Sequence, residues 1–167
     1  GALYMLDWSN LIMLHGGETN NPLRDKKHGR IYRITHKGGV PSKMLNLHKA
    51  KTLELIEALT HDNMFWRMMA QQKIVQQKRT DAIPALIELA KDPGEDAIRS
   101  NPGVIHALWS LHGLGQLDGS NKKALKVAQD ALKHRSAAVR KNAVRVLPPS
   151  AENTELLSAM LNEKDAN

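Results

Sequence analysis

The stretch Arg24-Asp25-Lys26-Lys27-His28-Gly29-Arg30 concentrates more reactive side chains than any other part of this 167-residue chain. Two guanidiniums, a carboxylate and an imidazole within seven residues can hold an anionic ligand or the loop of a partner, so Arg24, Asp25, His28 and Arg30 form a candidate ligand or partner loop. The plainer reading is that Arg24, Asp25 and Arg30 tie the loop to neighbouring strands. Eight histidines invite a search for metal ligands. His106 and His112 lie six apart, which puts them on different faces of one helix, and no histidine pair has the four-residue spacing of a helical zinc site. Without cysteine the chain has no disulfide framework and no thiolate metal site. No Gly-x-Ser-x-Gly elbow, phosphate loop or dinucleotide fingerprint occurs, and His15-Gly16-Gly17 is only an echo of an oxyanion loop. Glu54 with Glu57 and Glu95 with Asp96 fall on exposed polar positions, outside any cleft that paired-carboxylate hydrolysis needs. These residues predict no catalytic centre, no cofactor and no metal.

Charge offers a second kind of chemistry. Residues 1–51 hold nine Lys/Arg against three Asp/Glu, residues 52–119 six against nine, and residues 120–167 nine against five. Lys122, Lys126, Lys141 and Arg145 form a candidate basic surface near the C-terminal end. Such a surface can contact phosphates or simply be a solvated face. A nucleic-acid groove runs as a continuous basic stripe, and the acidic middle interrupts one here.

These groups must be positioned by helices. After Met44 the helix formers Leu, Ala, Lys, Glu and Gln dominate, and aromatic residues make up only 4% of the chain. Asp62 or Asn63, Thr80-Asp81, Asn101-Pro102, Ser120 or Asn121, and Ser136 read as helix starts. Leu53, Ile56 and Ala58/Leu59 predict the apolar face of a first helix. Phe65, Met68, Met69, Gln72 and Val75 predict that of a second, from about Met64 to Gln77. Further helices are expected over Ala82 to Lys91, Pro102 to Leu114, Ser120 or Asn121 to His134, Ser136 to Leu147 and Ala151 to Leu161. They repeat. Ala70, Ala107 and Ala143 recur 37 and 36 residues apart, each followed four positions on by a large aliphatic, Ile74, Leu111 or Leu147. A period of this length with two helices per unit predicts a solenoid, in which helix pairs that cannot cover their own apolar faces stack to do so. Trp66 and Trp109 fall in its second helices, where packing between repeats is the expected role.

Ahead of the helices, Ala2 to Trp8 and Arg30 to Thr35 read as strands, the second alternating charged and apolar residues as a half-buried strand does. Two strands alone are marginal in water. The chain opens without an initiator Met, so a piece of a longer protein is expected. Two domains result: residues 1–43, a two-strand segment, and residues 44–167, the helical repeats.

The pieces Asp62…Trp66-Arg67-Met68-Met69-Ala70 and Ser136-Ala137-Ala138-Val139-Arg140-Lys141-Asn142-Ala143 resemble HEAT/PBS-lyase-type repeats. That resemblance implies a mainly α fold, a HEAT-like right-handed α-α superhelix with a short N-terminal β-hairpin appendage. It also implies a ladder between repeats in which an acidic turn residue pairs with an Arg early in the second helix: Asp62 with Arg67, and Arg140, whose turn offers Ser136 instead of Asp. Val104 stands where the middle repeat would carry its Arg. Gly1 to Asn10 and Leu23 to Ile34 are similar to the last blade of dehydrogenase-like (sorbosone/glucose dehydrogenase-type) β-propellers in large exported bacterial proteins. In those proteins the propeller runs into HEAT repeats and often on to a c-type haem domain. The resemblance implies a periplasmic or extracellular, non-catalytic scaffold segment of a larger redox protein, with other domains or proteins as partners. Lys stands where that family often carries a further His in the Arg24 to His28 stretch. The alternative function is a nucleic-acid-binding helical repeat of the DNA-repair glycosylase kind, with binding that weakens as salt rises.

Overall fold

The computed structural model describes residues 2–7, 22, 27–40 and 44–163. The chain divides into two compact units, Gly1–Lys43 and Met44–Asn167. In the first, β1 (Leu3–Asp7) pairs antiparallel with β2 (Arg30–Ile34), in a register running from Leu3 opposite Ile34 to Asp7 opposite Arg30. Strand alternation puts Leu3, Met5, Tyr32 and Ile34 on one face and Tyr4, Leu6, Ile31 and Arg33 on the other. The alternation of β2 predicts one buried face. Instead every one of its side chains is exposed, as are Leu3, Tyr4, Met5 and Leu6 of β1, because a two-stranded ribbon has no second layer of its own.

The second unit is helical. Its elements are α1 (Thr52–Ala58), α2 (Met64–Gln76), α3 (Ile83–Leu89), α4 (Pro102–Gly113), α5 (Lys122–Asp130), α6 (Ala137–Val146) and α7 (Ala151–Ala159). A 3-10 turn, Thr80–Ala82, leads into α3, and others extend α5 and α7. Asparagine side chains start three of the helices: Asn63 accepts from Phe65 N at 2.9 Å, Asn101 from Val104 N at 3.1 Å, and Asn121 from Ala124 N at 3.1 Å. Each satisfies an amide that has no partner inside its own helix. Ser136 precedes α6 without capping it; its buried hydroxyl donates to the Arg99 carbonyl at 2.8 Å. No helix among the described residues is long and apolar enough to cross a membrane.

Packing follows chain order. α1 lies against α2 and α3 against α4, while α2, α4 and α6 pack each on the next. Ala70, Ala107 and Ala143 are completely buried on these three helices, where a side chain of one methyl group occupies little space. Ile74 and Leu111 are also fully buried, and Leu147 nearly so. Two faces differ from the sequence reading. In α1 the core residues are Leu55 and Ala58, joined by Leu59 just past its end, with Leu53 exposed. In α2 the core residues are Ala70 and Ile74, while Phe65 and Met68 face outward beside Met64. Both sets have helical spacing. Packing against the neighbouring helices selects the one containing alanine, and Phe65, Met68 and Leu53 are turned outward.

Candidate interaction surface

Of the N-terminal loop residues, Arg24 and Asp25 lie outside the described residues. His28 is exposed, and Arg30 closes the end of the ribbon with an ion pair to Asp7 at 3.2 Å. Tyr32 first, and Asp7 after it, raise the Arg30 pKa above its ordinary value.

The turns before α2 and α6 share one construction. His61 Nδ1 accepts from Asn63 N at 2.9 Å, and Arg67 Nη1 donates to the His61 and Asp62 carbonyls at 2.7 and 2.8 Å. His134 Nδ1 accepts from Ser136 N at 3.0 Å, and Arg140 Nη1 donates to the His134 and Arg135 carbonyls, both at 2.8 Å. The expected side-chain pair of Asp62 with Arg67 is therefore replaced by arginine bonds to the main chain, which need no acid in the turn. This explains why Arg140 works equally well after Arg135-Ser136. The guiding signal, His with Arg six positions on, is present at 61–67 and 134–140. The arginines differ on their other edge. Arg140 grips the Glu163 carboxylate as a fork, Nε to Oε2 at 2.6 Å and Nη2 to Oε1 at 2.9 Å. Arg67 Nε is buried without a hydrogen-bond partner.

α4 sits between α2 and α6 and sends polar groups both ways. His106 Nδ1 meets Gln71 Oε1 of α2 at 2.6 Å. Trp109 Nε1 donates to Asn142 Oδ1 of α6 at 2.8 Å, and His112 Nδ1 lies 3.2 Å from the Val146 carbonyl. Burial, with the nearby Arg67 charge second, lowers the His106 pKa to about 4, so the ring stays neutral at ordinary pH. Trp109 thus joins two helices, while Trp66 stacks edge-on with Phe65 and packs at the core margin. Among the described residues no group of three His, Asp or Glu side chains is placed to share a metal ion.

The four basic residues singled out from the sequence separate. Lys122 and Lys126 line a groove of about 1200 Å³ over α5, together with Lys91, Lys123 and Lys133. Its floor includes Ile87 and Ala90 at the end of α3, Leu125 and Val127 of α5, and Pro148 before α7. Lys141 and Arg145 instead line a smaller recess of about 340 Å³ between α6 and α7, beside Val144, Leu157 and Met160. The more extensive groove runs along the end of α3, α5 and the start of α7, not along the successive α2, α4 and α6. No family model matches the chain, and no curated protein or solved structure matches it either.

Proposed function

We propose that this chain is a non-catalytic interaction and scaffold segment of a larger, exported, propeller-containing redox protein. Residues 44–167 form a short HEAT-like superhelix that spaces and docks other parts, and residues 1–43 are the edge of a dehydrogenase-like β-propeller blade. The observation that carries the reading is the burial of Ala70, Ala107 and Ala143 at matching positions of α2, α4 and α6, which pack in succession. The repeated His–Arg turn adds to it, because it recurs at twice the alanine spacing. The ribbon supports the β part: both of its faces carry exposed apolar side chains, as a strand pair destined for the interior of a larger sheet does.

In a stack held by nearest-neighbour contacts, stability is a sum over layers. Removing α7, then α5 with α6, should lower the urea midpoint stepwise while the remaining layers keep their helical circular dichroism. Collapse to an unfolded chain at the first deletion would overturn the superhelix. The scaffold reading further expects the coding sequence to continue upstream into β-strand blades. Sequencing the parent reading frame checks that.

A further inference from the structure

The groove over α5 holds a charge imbalance that its own side chains leave standing. Its acids are engaged. Asp118 accepts from Ser120 N at 2.9 Å and from Ser120 Oγ at 2.6 Å, Asp130 pairs with Lys126 at 2.7 Å, and Glu152 accepts from Gln129 Nε2 at 3.0 Å. Lys91 is paired with Glu88 at 2.8 Å. Among the described residues, Lys122, Lys123 and Lys133 enter no ion pair.

Their placement sharpens the imbalance. Lys122 and Lys123 occupy the first turn of α5, and no acidic residue shares that turn. The helix dipole already puts positive partial charge there, so each ammonium is disfavoured. An anion bound beside Lys122 and Lys123 would relieve both repulsions at once. The groove is also more than a charged patch, since Ile87, Ala90, Leu125 and Val127 supply an apolar floor between the lysines. A phosphodiester backbone engages cations and has little use for such a floor. A peptide with carboxylates beside aliphatic side chains engages both. Small-molecule pockets run to about 300–1,000 Å³, and this groove is larger, at about 1200 Å³.

We propose that the groove over α5 docks a segment of a partner protein that carries Asp or Glu beside large aliphatic residues. The inference rests on the reading of the helical unit as an interaction surface and adds the chemistry of what it holds.

The test uses the full chain and a fluorescein-labelled peptide of Glu-Glu-Leu repeats, followed by anisotropy at low and at physiological salt. An all-Glu peptide of equal length and a random duplex DNA serve as competitors. The peptide should bind with micromolar affinity that weakens with salt. The K122E/K123E variant should bind it at least tenfold more weakly, with an unchanged circular dichroism spectrum, and Ile87→Asp should also weaken it. The all-Glu peptide should compete poorly, and the DNA less well than the Glu-Glu-Leu peptide. Absence of binding at low salt overturns the proposal, as do all-Glu competition as strong as the probe's own and tighter binding of DNA. Peptide binding that survives K122E/K123E removes the groove as its site yet leaves the scaffold reading intact, which the layer-deletion series decides separately.

Discussion

The two seams that flank α4 are framed alike and filled differently. On the α2 side, Ala70 and Ala107 are both fully buried, Arg67 ties its turn, and the polar link is His106 with Gln71. On the α6 side the alanines and the arginine recur, but the link is the Trp109 indole on Asn142, and the arginine has gained Glu163. Gly113 marks a close approach. A methyl group there would come within 2.7 Å of Val75 Cγ2 and 2.9 Å of Cγ1, so the Val75 side chain of α2 packs onto the bare backbone at this end of α4. The contrast teaches that periodic residues set how helices stack, while non-periodic polar residues decide how each seam is held.

The largest effect should come from the residue in the core the seams share. Leu111 is fully buried in α4, and Leu111→Ala should lower the unfolding free energy by about 2–5 kcal/mol, the range for emptied core leucine sites. Gly113→Ala should break one seam only. A gain of at most about 1 kcal/mol from helix propensity, smaller at a last turn, opposes an overpacking cost of about 1–3 kcal/mol against the β-branched Val75. Net destabilisation in urea melts, relieved by Val75→Ala in the same chain, would place the effect at this contact. Stabilisation by Gly113→Ala alone would show that the approach is looser than 2.7 Å.

This division also marks what was legible in the sequence. Ala70, Ala107 and Ala143 stand out because stacking repeats them, and Asn63, Asn101 and Asn121 because capping is local. The orientation of α2 was not legible. Phe65 and Met68 satisfy helical spacing as well as Ala70 and Ile74 do, and only the neighbouring helix chooses between them. Gln71 with His106 and Asn142 with Trp109 pair across more than thirty residues at unequal offsets, so no period betrays them. Of the basic residues, the lysines of α5 are visible in the sequence as a cluster. Their separation from Lys141 and Arg145 depends on which sides α5 and α6 turn outward.

The arginines give a smaller contrast. Arg140→Lys loses the carbonyl bonds and the fork on Glu163, whereas Arg67→Lys loses carbonyl bonds alone. Each of these guanidinium bonds is charge-assisted and worth about 1.5–3 kcal/mol, and Arg140 makes two that Arg67 lacks, so Arg140→Lys should cost more. A double-mutant cycle with Glu163→Gln isolates the difference; equal costs for the two arginine variants with no coupling to Glu163 would erase the contrast.

The last effect is a slope in pH that His106 gives the first seam. His106 titrates at about 4 in the folded chain, against an ordinary value of 6.5, because burial and then Arg67 disfavour its charged form. Between those values the unfolded chain holds a proton that the folded chain refuses. Stability is therefore fully present above about pH 6.5 and falls as pH drops toward about 4. Asp92 contributes in a lower window. Its carboxylate is held below its ordinary 3.8 by Gly94 N and then by Asn101, so its stabilisation is lost only as pH falls through that depressed value. His106→Asn, which gives the first seam the residue type found at Asn142, should flatten the upper window in urea melts and leave the lower one. Arg67→Gln should move the His106 titration upward by only part of its displacement, since burial is the leading cause. An NMR titration of the His106 ring that stays near 6.5 in the unaltered chain would show that the α2–α4 seam is open to water, and the difference between the seams would then lie in packing alone.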